Sequence, residues 1–233
     1  MKKNAEAATT VDKPSSQRRR VGRPRANGEN QDGAPREIIL QSASRLFYTQ
    51  GYAATSIREI ASEAGLQKSS VYYYFSRKAD ILDAMIDAVM APPLEYIRHI
   101  DAEQGSPGLK LLRLVRFDIY QLCKAPYDYS AFLTMPETRG CRYGKFWRER
   151  QYMLDWVRQR IEDGITCCQF APAEVDIVAH SVFTIEEFTV NWYNAKDYDP
   201  EQVADVAAVY ALRGLLANSA EADRLLAQAR QMT

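Results

Sequence analysis

The side chains best suited to recognition chemistry lie between Thr55 and Lys78. Lys68 and Ser69 open a segment that continues Ser70-Val71-Tyr72-Tyr73-Tyr74-Phe75, with Thr55 and Arg58 before it and Lys78 after it. A lysine ammonium can reach the O6 and N7 acceptors of guanine, phenol hydroxyls can bond phosphates, and aromatic rings can lie against thymine methyls. Covalent and metal chemistry have far less to draw on. The only histidines, His99 and His180, each lack a second His or Cys one helical turn away. The four cysteines, Cys123, Cys141, Cys167 and Cys168, show neither a CxxC pair nor zinc-site spacing, and neighbours 167 and 168 can hardly bridge each other. They read as reduced core thiols. No catalytic residue, metal or cofactor is expected.

The elements that must position these donors follow from helical periodicity. Ile39, Ala43, Leu46 and Phe47 share one face of a first helix that stops at Gly51. Thr55-Ser56 offers N-cap hydroxyls ahead of Ile57, Ile60, Ala61 and Ala64, and Gly65 ends that second helix. A third runs from about Lys68 to Phe75, and a fourth carries Leu82, Met85, Ile86 and Val89 until Pro92-Pro93 kinks or breaks it. Residues 56–75 therefore have helix-turn-helix spacing, with Ala61 small where the two helices cross. The second helix of such a motif enters the major groove N-terminus first, which sets Lys68 and Ser69 against base edges. Four consecutive aromatics cannot share a face at 100° per residue. Val71 and Phe75 are expected to be buried, Tyr73 and Tyr74 to lie at the surface, and Tyr72 mainly to pack, with a phosphate contact open to it.

Charge is segregated along the chain. The 233 residues carry 30 Lys plus Arg against 30 Asp plus Glu, for no net charge. Split after Asp80, the first part holds 14 basic and 8 acidic side chains, +6, and the rest 16 and 22, −6. The body charge argues against a protein that coats DNA without specificity. Residues 1–34 contain Arg18-Arg19-Arg20 and Arg23, with almost no large apolar side chain, and read as a disordered basic arm. Such an arm either solubilises the chain or tracks the minor groove. The longest apolar run, Val206 to Leu212, is too short to cross the ~30 Å core of a bilayer. No apolar stretch follows the first positive charges, so neither a membrane nor a secretory signal is expected, and a cytoplasmic location follows.

With 46% apolar residues the chain can bury a core. Helical stripes recur around 107–124, 140–165, 173–193 and 200–217, with a last one from Glu221; no period-two run appears, so no sheet is expected. The organisation is all-α: an arm over 1–34, a DNA-binding head over 35–80, and a helical body over 81–233.

Thr55-Ser56-Ile57-Arg58-Glu59-Ile60-Ala61, then Ala64-Gly65-Leu66, then Val71-Tyr72-Tyr73-Tyr74-Phe75 and Lys78, together resemble the N-terminal domain of the TetR family of transcriptional regulators. The resemblance covers residues 35 to about 82. It implies a homodimer that reads operator DNA through the third helix, and a body that binds a small effector and releases the operator. By position, Lys68, Ser69 and Tyr73 fall among base contacts and Arg58 where some members read a base. Thr55, Tyr74 and Lys78 fall on phosphate contacts. Ser69 stands where glycine is frequent.

In the body, Val182, Glu186, Val203, Val206, Tyr210 and Arg213 are the candidate dimer interface, two helices meeting their symmetry mates as a four-helix bundle. Tyr120, Cys123, Phe132, Arg142, Trp147, Met153 and Phe183 are the candidate effector pocket. Phe188-Thr189-Val190-Asn191-Trp192-Tyr193, Asp199-Pro200-Glu201 and Arg213-Gly214-Leu215 resemble a TetR subgroup with acyl-CoA-responsive members. In that light Arg139, Arg142, Lys145, Arg148 and Arg150 either hold the phosphates of an acyl-CoA thioester or form a solvated face paired with Glu149 and Asp155. Glu186-Glu187 either bridges an interface or orients a ligand. The competing functions are a helical enzyme, for which no constellation is present, and a nonspecific architectural protein.

Overall fold

The computed structural model describes residues 35–125 and 143–232, which form nine helices and one isolated β-bridge. The arm, Phe132 and Arg142 lie outside the described residues. In the head, α1 (Pro35–Gln50) ends where Gly51 turns to φ +86° and donates its N–H to the Phe47 carbonyl at 3.1 Å. α2 (Ile57–Glu63) starts on a capping box. The Ser56 hydroxyl accepts the Glu59 N–H at 3.2 Å, and the Glu59 carboxylate accepts the Ser56 N–H at 2.7 Å. Gly65, at φ +64°, turns the chain into α3 (Lys68–Tyr74). Ile39, Ala43 and Phe47 close with Ile60, Ala61, Val71 and Phe75 into the core of the head.

α4 (Lys78–Ala102) runs through Pro92 and Pro93 without interruption. The expected break does not occur, although each proline removes one intrahelical donor and crowds the carbonyl four residues earlier. That cost is offset by tertiary packing: Pro93, Leu94, Ile97 and Ile100 are all buried.

The body is assembled around α5 (Pro107–Lys124), which packs against α4, α6 (Gly144–Thr166), α7 (Val175–Trp192), α8 (Pro200–Arg213) and α9 (Glu221–Gln231). A helix with five neighbours must be apolar on most sides. Leu111, Leu112, Leu114, Val115 and Ile119 are accordingly sealed from solvent. Ser106 and Asp199 cap α5 and α8 through the N–H groups of Leu109 (3.3 Å) and Gln202 (3.0 Å), each followed by a proline suited to the first helical turn. The buried Asp205 accepts from Arg116 Nε at 2.6 Å and Arg230 Nε at 3.0 Å, tying α5, α8 and α9 together.

α8 ends at Arg213 rather than 217. Residues 215–217 leave the helix to bond the connector after α6, through Ala171 N–H to Leu215 O at 2.8 Å and Ala217 N–H to Gln169 O at 3.0 Å. Phe170 in that connector lies on the α6 backbone at Gly164, where an added Cβ would stand 2.2 Å from the ring. Cys123 is buried, but Cys167 and Cys168 are exposed just past the end of α6, so the reading of core thiols holds for Cys123 and fails for these two, while Cys141 lies outside the described residues. Among the described residues no helix is long and apolar enough to cross a membrane.

Candidate DNA interface and body cavity

The outer face of α3 is built by what its inner face buries. Val71 is fully buried and Phe75 nearly so, which seats the helix and turns Lys68, Ser69 and Tyr73 to solvent. Tyr73 is 83% exposed and meets Tyr74 edge to face at 5.0 Å, while Tyr74 is 39% exposed. Tyr72 is 46% exposed, with the Lys68 ammonium 5.5 Å from its ring centroid, so the expectation that it mainly packs is corrected. It lies one turn after Lys68 on the open side of α3. Arg58 is exposed on α2.

Two expected phosphate contacts are turned to other work. Thr55 is buried, its hydroxyl donating to the Gly51 carbonyl at 2.8 Å and accepting from Gln50 Nε2 at 3.2 Å. The Lys78 ammonium donates to the carbonyls of Tyr52 and Thr55, the latter at 2.6 Å, and lies 4.1 Å from the Tyr52 ring centroid. Both side chains fix the turn between α1 and α2, because the carbonyls there have no helical N–H to receive.

In the body, α4 to α7 enclose a cavity of ≈ 70 Å³ walled by Ile86 and Pro93 of α4, Asp118 of α5, Arg150 and Met153 of α6, and Phe183 and Glu187 of α7. Of the expected pocket residues that are described, Met153 and Phe183 reach it. Tyr120, Cys123 and Trp147 pack beside the core, since their positions on α5 and α6 lie off the stripe facing α4 and α7. Asp118 was missed as a wall residue, while Glu187 belongs to the polar pair read as bridging an interface or orienting a ligand. The signal for Asp118 was nonetheless present, since it continues the buried stripe of Leu111, Leu114 and Val115. Burial, and then the neighbouring Glu187, push the Asp118 carboxyl up to about 7. Burial, then Asp118 and Glu187, hold Glu186 well above the usual carboxylate range.

Two of the basic residues at the start of α6 are already engaged. Arg150 forms a two-pronged pair with Glu187 at 2.6 and 2.8 Å and lies 5.0 Å from the Phe183 ring centroid. Lys145 bonds Asp87 at 2.8 Å, which raises its pKa.

The candidate interface residues separate into two groups. Val182 and Glu186 are buried within the protomer, a correction to their place on an interface, whereas Val203, also mostly buried, lines the groove described next. Val206 and Tyr210 are 63% and 74% exposed and join Phe188, Trp192 and Tyr198 along a groove of ≈ 620 Å³ between α7 and α8. Arg213 is exposed beside it, paired with Asp223 at 2.9 Å. Apolar residues lie on more than one side of α7 and α8, and packing on α5 decides which side faces inward.

A three-helix head with an exposed recognition helix, carried on a helical body with its own cavity, defines a helix-turn-helix transcriptional regulator. The family model described as bacterial regulatory proteins, tetR family, matches residues 39–85. The crystal structure of Mycobacterium smegmatis AmtR is 32% identical, covers 90% of this chain and 98% of its own, and superposes with a TM-score of 0.70. The transcriptional repressor KstR2 of Mycolicibacterium smegmatis is 27% identical over 205 residues, 80% of this chain and 93% of the repressor. The structure of AibR with isovaleryl coenzyme A and operator DNA shares the fold, at 18% identity and a TM-score of 0.63 over 76% of this chain and 97% of that one. The first curated relatives, two regulators of Pseudomonas putida, are matched over 40% of their own length. The chain belongs to the TetR family of regulatory proteins, which are not enzymes.

Proposed function

We propose that the protein is a homodimeric repressor that binds operator DNA through α3 and releases it when a small molecule occupies the body cavity. The observation that carries this reading is the α3 surface: Lys68, Ser69, Tyr72 and Tyr73 stand in solvent on a helix anchored by Val71. Two half-sites one DNA turn apart, ~34 Å, require two copies at fixed spacing. The exposed aromatic groove between α7 and α8 is the face suited to the second copy. α4 supports the coupling, because Leu82 and Met85 lie in the buried core while Ile86 and Pro93 wall the cavity. A ligand that prefers one position of α4 shifts the spacing of the recognition helices by its differential affinity. AibR is crystallised with an acyl-CoA thioester, but Lys145 and Arg150 here are spent on Asp87 and Glu187, which weakens that choice of effector.

The test is anisotropy with DNA from beside the gene, at several salt concentrations. Specific DNA should bind tighter than random DNA, and Lys68→Ala and Tyr73→Ala should each reduce that ratio, at about 1–3 kcal/mol per lost base contact. Equal binding of both DNAs would remove the operator reading. Unchanged selectivity in both variants would show that another face enters the groove.

A further inference from the structure

The cavity wall has more carboxyls than it has partners for them. Asp118 lines the space, is only 8% exposed, and no hydrogen bond holds its carboxyl among the described residues. Glu186, on the neighbouring helix, is sealed from solvent with both carboxyl oxygens lacking a hydrogen-bond partner. Glu187 is satisfied, but by Arg150, the one guanidinium of the wall among the described residues, through its Nε and Nη2. A buried carboxyl without a donor is an expensive arrangement, and replacing it by an apolar side chain of similar shape would remove the cost. Among the described residues the rest of the wall is apolar, with Ile86, Pro93, Met153 and Phe183 offering no hydrogen-bonding side chain to a ligand.

These observations select a ligand by charge. Among the described residues, a carboxylate or phosphate would face Asp118 with no free cation to receive it. A neutral apolar molecule would leave the Asp118 carboxyl unsatisfied. An ammonium brings three donors and a positive charge to acceptors already desolvated, where charge-assisted bonds are strongest. We propose that the cavity is a binding site for a small organic cation, a protonated amine on a short aliphatic body. Asp118 takes the ammonium, and Phe183 and Met153 hold the aliphatic part. This deepens the effector reading above and rests on it for its regulatory meaning.

Binding then couples to a proton. The groups facing Asp118 are Arg150 on α6 and Glu186 and Glu187 on α7; α4 presents no titratable side chain to the cavity. α8 and α9 meet α5 through Asp205 and Arg230, which are bound up with Arg116. A carboxyl at about 7 must ionise to receive the cation, so affinity rises with pH through that value.

The experiment titrates the full-length protein, by calorimetry and ligand-observed NMR, with n-butylammonium, 1-butanol and butyrate, at pH 6 and pH 8. The ammonium should bind at least tenfold tighter than either isostere at pH 8 and about tenfold weaker at pH 6. Asp118→Asn should lower ammonium affinity at least tenfold and leave 1-butanol unchanged. Met153→Trp, which fills the cavity, is the second variant and should abolish ammonium binding. Absence of ammonium binding, equal binding of butanol or butyrate, or full affinity in either variant overturns the assignment. Operator release, recorded separately, distinguishes the two readings. An anionic or neutral compound that releases DNA through this cavity while the ammonium is inert defeats the cation site and keeps the regulator. Ammonium binding that leaves operator affinity unchanged supports the site and defeats its effector role.

Discussion

Asp118→Asn should stabilise the protein, and by an amount that depends on pH. In the unfolded chain an aspartate ionises near 3.8; in the fold, burial and then Glu187 push Asp118 up to about 7. The folded state therefore holds a proton that the unfolded state has released throughout that interval, so wild-type stability falls as pH rises from about 4 to about 7 and is level beyond. The gap of about three pKa units, at 1.36 kcal/mol each, sets an upper limit of about 4 kcal/mol, of which about 3 kcal/mol accrues above pH 5. Asparagine has the same shape and never ionises. The difference in unfolding free energy between variant and wild type should favour the variant by about 1 kcal/mol at pH 5 and grow by up to about 3 kcal/mol more at pH 8. For a chain of this length that growth corresponds to roughly 6–12 °C in Tm. Urea unfolding of dialysed protein at both pH values measures it. A pH-independent difference, or a variant less stable than wild type at pH 8, would refute the claim that Asp118 is a desolvated carboxyl without a partner.

Lys78→Met should cost about 2 kcal/mol of head stability, because the carbonyls of Tyr52 and Thr55 lose a charged donor. The salt dependence of DNA binding by the folded variant should stay as it is; a slope lower by about one would show that Lys78 also neutralises a phosphate. Gly65→Ala should destabilise by about 1 kcal/mol through backbone strain alone, since the residue sits at φ +64° and a Cβ there meets nothing within 4 Å. Thermal melts decide it, and a neutral result would mean the turn can relax. Val206→Glu with Tyr210→Glu should yield a monomer by light scattering and lose operator affinity while keeping helicity, as both side chains are exposed in the protomer. A dimer that survives the pair places the interface elsewhere.

Local residues carry most of the head. Gly51 and Gly65 mark turns because other residues resist positive φ, Ser56 and Glu59 announce a helix start, and Val71 with Phe75 can be buried together only if Tyr73 faces out. Each of these is a short-range constraint, so it is visible in a few consecutive residues. The alternation of apolar stripes likewise sets the all-α class and the approximate helix ends. The body is different. Whether Val182 or Val206 faces inward depends on which side of α7 and α8 meets α5, and neither side is distinguished by its own sequence.

The same division separates a charge from its role. Lys78 and Thr55 read as phosphate contacts until the turn from 51 to 55 folds back and presents carbonyls to one and burial to the other. Arg150 reads as a basic residue free for a ligand until Glu187 arrives from another helix. The sequence by itself determined the helical class, the helix-turn-helix spacing and the outward face of α3, because these follow from backbone preference and periodicity. Only the tertiary structure decided which charges are satisfied, which apolar faces stay open and that Asp118 and Glu186 are buried together. Pairing and desolvation depend on residues brought together from distant points of the chain.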